Sequence, residues 1–145
     1  MYSKEEIIEF FMSAVNPALR DFGTVLKGHN WEVDLQTNNP YLEFNELDNK
    51  LRTKVQPIGG KIWSKIDATK SNGPVPKCIF SYQILAEPTG ATKNSCLLKV
   101  LVIWKNELNG GNYEEPYNPD NISTVTKNEL IKRMKIAYDN YRRMI

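Results

Sequence analysis

Hydrophobic positions along the chain follow a helical period at both ends and a period of two in between. Near the N-terminus, Ile8, Phe11, Val15, Leu19, Phe22 and Leu26 recur at three- and four-residue steps, the spacing of one buried helical face. Ser3-Lys4-Glu5-Glu6 ahead of them is a capping box, in which the serine hydroxyl meets an orphan amide and the glutamate reaches back. Lys27 and Gly28 supply a basic last turn and a glycine stop, so the pattern predicts a helix over 4–27. Pro17 interrupts that run without breaking its phase. Either one helix kinks there, or Asn16 caps a second helix that has Pro17 as its first residue.

From residue 30 the alternation of Trp31, Val33 and Leu35 with Glu32, Asp34 and Gln36 predicts a half-buried strand. Asn38-Asn39-Pro40 reads as a turn into a second strand, 41–47, with Leu42 and Phe44 inward, and Asp48-Asn49-Lys50 as another turn. Leu51, Thr53 and Val55 alternate with Arg52, Lys54 and Gln56. Pro57 and Gly59-Gly60 then predict a reversal into a strand with Ile62, Ser64 and Ile66 on one side and Lys61, Trp63 and Lys65 on the other. After a polar loop over 67–77 come the two most apolar segments, 78–86 and 96–105. The second is apolar on both parities, which predicts a central strand covered on both faces along much of its length. Residues 106–121, NELNGGNYEEPYNPDN, read as a long acidic loop. Thr126-Lys127-Asn128-Glu129 is a second capping box. The helix it opens carries Leu130, Met134, Ala137, Tyr138, Tyr141 and Ile145 on one stripe.

Together these elements predict a single α+β domain over 1–145: an N-terminal helix, a twisted antiparallel β-meander of five to six strands, and a C-terminal helix. Phe11, Phe22, Trp31, Phe44, Phe80, Leu98, Val100, Val102 and Met134 are expected to meet in one core.

Composition does little to disturb this picture. Hydrophobic residues at 41% and charged residues at 25% are globular values. No apolar run approaches the roughly 20 residues that cross a bilayer. Glu5, Glu6 and Glu9 stand where a secretory signal would be basic and then apolar, which points to the cytoplasm. Cys78 and Cys96 sit in apolar strand patterns. Pairing across a turn near Pro88–Gly90 would hold them roughly 23 Å apart along the ladder, too far for a disulfide. With two cysteines and one histidine, a Cys/His metal site is not expected, and no cofactor motif is present.

Charge is distributed unevenly. Residues 1–50 hold nine acids and four bases, residues 51–105 nine bases and two acids, and residues 106–145 six of each. The simplest reading sets acids on the first strands beside bases on the next two as cross-strand pairs. Lys61, Trp63 and Lys65 on one face, with the basic C-terminal helix, would equally suit nucleic acid, cations meeting phosphate and the ring stacking on a base. Tyr113, Glu114 and Tyr117 in the acidic segment resemble a recognition surface, or else anchor that segment to the body. His29 is the sole histidine and no nucleophile motif accompanies it, so nothing nominates a catalytic mechanism. The leading expectation is therefore a non-catalytic binding domain for a protein partner or small ligand, acting through 106–121 and the surface beside it. A nucleic-acid-binding protein is the alternative. A small enzyme, with a pocket between sheet and N-terminal helix and His29 or a buried carboxylate, is the third. An open meander also leaves two edges, which makes edge-strand homodimerisation an expectation.

Overall fold

A computed structural model describes residues 2, 4–45, 56–71, 78–88 and 96–143. Its N-terminal helical segment runs through α1 (Lys4–Phe10), a π turn (Phe11–Val15) and α2 (Asn16–Gly28). Proline explains the π turn. Pro17 offers no amide to the carbonyl four residues back, and its ring crowds that carbonyl. The chain widens one turn earlier, where the Asn16 amide reaches back five residues to Phe11 O. Asn16 is itself helical (φ −63°, ψ −43°), so it does not cap a second helix.

The helix stop also differs from the sequence expectation. Gly28 stays helical, and Asn30 takes the left-handed conformation at φ 69°. Its amide bonds Lys27 O at 3.0 Å and the Trp31 amide bonds Leu26 O at 3.1 Å. This is a Schellman stop, in which Trp31 and Leu26 are both buried.

Five strands follow in one antiparallel sheet of order β1-β2-β3-β4-β5. They are β1 (Glu32–Asn45), β2 (Gln56–Lys70), β3 (Cys78–Pro88), β4 (Cys96–Lys105) and β5 (Gly110–Pro116). Two predicted reversals lie inside strands. Asn38-Asn39-Pro40 falls at a register shift between Asn38 and Tyr41, where one extra residue bulges from β1. A proline is tolerable there because β1 is an edge strand. Gly59 and Gly60 pair with Glu43 and Leu42 within the β1–β2 ladder. Residues 67–70, expected in a loop, complete β2. The predicted turn at 48–50, the strand residues 51–55 and the Ser3 capping box lie outside the described residues.

The largest departure is β5, whose seven residues were expected to be loop. Every one of them is exposed, so no burial alternation could mark it. Asn106 closes its hairpin with β4. The Asn106 side chain accepts from the amides of Leu108 (2.8 Å) and Asn109 (2.6 Å), and its own amide bonds Asn109 O at 2.8 Å.

The β3–β4 register also differs from expectation. Cys96 lies opposite Pro88, and 88 − 78 places it ten residues along β3 from Cys78, on the order of 33 Å. The two positions lie further apart along the ladder than predicted, and Cys78 is free.

Past a short 3₁₀ turn (Ile122–Thr124), α3 (Lys127–Arg143) begins with Thr126 Oγ1 accepting from the Glu129 amide at 3.2 Å, as the capping box predicts. Both helical segments pack on one face of the sheet, α2 over β1 and β2, α3 over β3 and against α2. Ile66, Phe80, Tyr82, Ile84, Leu98, Val100 and Val102 face them and are buried. Each such side chain contributes about 1.5–3 kcal/mol. Phe11, Phe22, Trp31, Phe80, Leu98, Val100, Val102 and Met134 do meet in one cluster; the Phe44 side chain lies outside the described ones. Edge-on rings of Phe22, Phe80, Trp31 and Tyr138 tie the two helices to the sheet, and Trp31 Nε1 donates to the Tyr138 hydroxyl at 3.0 Å.

One consequence of this layering corrects the reading of β4. It is covered on one face only, so Leu97 and Ile103, on the far face, stay 48% and 40% exposed. No helix among the described residues is long and apolar enough to cross a membrane.

Candidate binding site

The helices leave the other face of the sheet open. The registers set its side chains in rows: Trp63, Leu85, Lys99 and Pro116; then Lys65, Gln83, Leu101 and Glu114; then Asp67, Ser81, Ile103 and Asn112. Leu85 is 6% exposed despite facing away from the helices, because its neighbours in the rows close over it. Around this apolar middle the charges are held in place. Lys99 Nζ reaches Glu87 at 3.5 Å and Glu114 at 3.7 Å. Asp67 accepts from Ser81 Oγ at 2.6 Å and Gln36 Nε2 at 3.1 Å, and pairs with Lys65 Nζ at 3.2 Å.

That last network revises the expected charge pairing. Asp34 and Asp67 are cross-strand partners, an acid opposite an acid, and Gln36 bridges them with bonds to both. Lys65 finds its acid two residues along its own strand, and Lys61 lies opposite Tyr41.

Of the residues singled out from sequence, Lys61, Trp63 and Lys65 do share the open face. Trp63 is half-buried, with the Lys65 ammonium 5.9 Å from its ring centre. Glu114 joins them through Lys99. Tyr113 and Tyr117 do not. Tyr113 pairs with Val102 on the helix side and is 38% exposed; burial, then the nearby Glu115 carboxylate, raises its pKa above the usual tyrosine value. Tyr117 is buried, with the Arg133 guanidinium 4.3 Å over its ring and its amide bonded to Leu98 O at 2.8 Å. Burial raises its hydroxyl pKa while Arg133 acts the other way. Arg133 also bonds Glu115 at 3.3 Å, so the end of β5 is anchored to α3. Tyr117 is an anchor. His29 is exposed at the C-terminal end of α2, its amide bonded to Leu26 O and Lys27 O, away from all of these residues.

Several bases that would serve phosphate are already paired with acids: Lys65 with Asp67, Lys99 with two glutamates, Lys127 with Asp21 at 2.8 Å, Arg133 with Glu115. Among the described residues, no group of three or more His, Cys, Asp or Glu side chains is placed to hold a metal ion.

Clefts also open among the described residues. One, of about 250 Å³, lies at the β4–β5 end and is lined by Leu97, Leu98, Lys99, Glu114, Glu115 and Pro116. Another, of about 260 Å³, separates α2 from β1 and is lined by Asn16, Leu19, Arg20, Leu35, Gln36, Thr37 and Lys65. A pocket between sheet and N-terminal helix thus exists, but among the described residues neither His29 nor a carboxylate lines it. Sequence reasoning passed over Arg20 and Leu35, since an arginine on the polar side of a helix and a leucine in a strand carry no motif. No family model, no curated protein and no solved structure matches this chain.

Proposed function

We propose that this chain is a non-catalytic binding domain that recognises a partner protein through the open face of its sheet. The observation that carries the reading is the half-exposed Leu97 and Ile103 on that face, toward opposite ends of β4 with Lys99 and Leu101 between them. Water-exposed leucine and isoleucine on an otherwise well-ordered sheet are what a partner's apolar residues would cover. The fixed ion pairs of Lys99 around them would set register and exclude mismatched partners. Free Cys78, unpaired with Cys96 across the ladder, supports a cytoplasmic setting, where thiols stay reduced.

Cross-linked capture from cytoplasmic extract tests the reading with four forms of the chain. A specific partner is retained by the wild type and by Leu108→Asp, which alters a 92% exposed residue in the β4–β5 turn. It is lost with Ile103→Asp or Leu97→Asp at unchanged thermal stability. Equal capture by all four forms, or a partner sensitive only to Leu108→Asp, rejects the open face as the interface.

A further inference from the structure

The β1 side of the molecule carries a second feature, separate from the open face. Helix-facing positions of the five strands line up in rows, and one row reads Leu35, Ile66, Tyr82, Val102, Tyr113. Its three middle members are buried to 2% exposure or less. Leu35, at the β1 end, is 40% exposed, although it faces the same way. The core row therefore stops half-covered at an edge strand, whose outward amides and carbonyls have no strand partner among the described residues.

Over that edge lies α2. Gly23 lets the helix approach closely: a Cβ there would meet Val33 at 3.3 Å and Ile66 at 3.4 Å. One and two turns earlier, Arg20, Leu19 and Asn16 overhang Leu35 and Thr37 and enclose the 260 Å³ cleft. Ser64 Oγ donates to Asn16 Oδ1 at 2.6 Å, which fixes Asn16 above the Thr37–Ser64 pair. Lys65 and Gln36 line the cleft too, but their side-chain ends turn to the opposite face, where both bond Asp67. Arg20 is then the cation that the cleft presents. It is exposed, and among the described residues it forms no ion pair and no acid lines the cleft with it.

We infer that the groove between α2 and the free edge of β1 accepts an extended peptide segment of a partner protein as a sixth strand. Main-chain hydrogen bonds to β1 would supply the affinity, and alternate side chains the selectivity. The added strand continues the rows, so its helix-facing residues lie two apart. One is apolar and covers Leu35 and Leu19; the next is acidic and meets Arg20 and the Thr37 hydroxyl. The opposite edge is a poorer acceptor. β5 is seven residues long, ends in Pro116 and carries Glu114 and Glu115, the latter already held by Arg133 of α3.

The test uses the full chain and a blocked octapeptide of threonine carrying one leucine and one glutamate two positions apart, followed by amide NMR. The expected result is shifts confined to Val33–Thr37 and to α2 around Arg20, with new exchange protection on alternate β1 amides. Replacing the peptide's glutamate by lysine weakens binding about tenfold, as loss of a charge-assisted hydrogen bond would. Arg20→Glu, a surface change, reverses that preference. An N-methylated peptide with the same side chains fails to bind. The inference is overturned if shifts fall on β5 or the open face, if the N-methylated peptide binds equally well, or if millimolar peptide shifts nothing. It is equally overturned if the β1 amides are already protected in a concentration-dependent dimer, which would assign the edge to a second copy. Ile103→Asp and Leu97→Asp leave this titration unchanged, so it stands or falls apart from the open-face interface.

Discussion

Single residues set the corners of this fold, and Asn30 shows how. A left-handed backbone costs an ordinary L-residue roughly 1–2 kcal/mol, and asparagine and glycine bear it best. Asn30 at φ 69° is the turning point between α2 and β1, and the two hydrogen bonds around it fix the angle at which Trp31 enters the core. Sequence favoured Gly28 as the stop, since glycine is the usual residue there. The helix outlasts it because Gly28 meets no constraint that requires its freedom, with nothing within 4 Å of a Cβ built on it. Three substitutions separate these roles. Asn30→Ala is expected to lower unfolding free energy by about 1 kcal/mol in urea titrations, and Asn30→Gly to leave it unchanged or slightly higher. Gly28→Ala should stabilise or be neutral; a loss at Gly28 as large as that at Asn30 would return the stop to the glycine.

At the scale of elements, what could be read from sequence was what burial patterns. Helices with one apolar stripe and strands with one apolar parity declared themselves. Leu19, Phe22 and Leu26 of α2, Leu130, Met134, Tyr138 and Tyr141 of α3, Phe80 of β3 and Leu98, Val100 and Val102 of β4 are buried as expected, while Leu97 and Ile103 on the other parity of β4 are not. What burial does not pattern stayed hidden. β5 buries no side chain, and β1 and β2 pass through Asn-Asn-Pro and Gly-Gly because their ladder takes in both, the first at a one-residue bulge and the second within paired residues. One local signal for β5 was present: Asn109-Gly110 directly after an apolar strand is a hairpin dipeptide. The structure makes Asn106 the hinge of that hairpin, buried at 4% and accepting two amides. Asn106→Ala would leave both amides without their acceptor, at a cost of about 1–3 kcal/mol. Hydrogen exchange should show the loss locally, with the amides of β5 and the end of β4 exchanging faster while those of β2 and β3 do not change. Uniform acceleration across the sheet would mean that the hairpin is not an independent unit. The β1 cleft escaped the sequence for another reason. Arg20 and Leu35 acquire meaning only when a helix and a strand edge come together.

Taken as a whole, the molecule is a sheet with one dry face and one wet one, and its stability should titrate accordingly. The dry face contains tyrosines withdrawn from water, among them Tyr82 and Tyr141, the latter donating its hydroxyl to Lys105 O at 2.8 Å. Burial pushes Tyr82 up to about 12, against the opposing pull of the Arg133 guanidinium that hydrogen-bonds it, and raises Tyr141 as well. A pKa raised in the folded state means that the neutral phenol belongs to the fold and the phenolate to the unfolded chain. The stabilisation is then fully present below the unfolded value near 10 and is lost as pH climbs from there toward 12. At pH 11 Tyr82 alone should have forfeited about 1.4 kcal/mol. The contribution can be isolated because Tyr82→Phe keeps the ring in place and removes the titrating group. Urea unfolding at pH 9 and pH 11 should then show a drop about 1.4 kcal/mol smaller in Tyr82→Phe than in the wild type. A variant that loses as much as the wild type over that interval would mean that the phenol of Tyr82 reaches water, and that the seam between α3 and the sheet admits solvent at its centre.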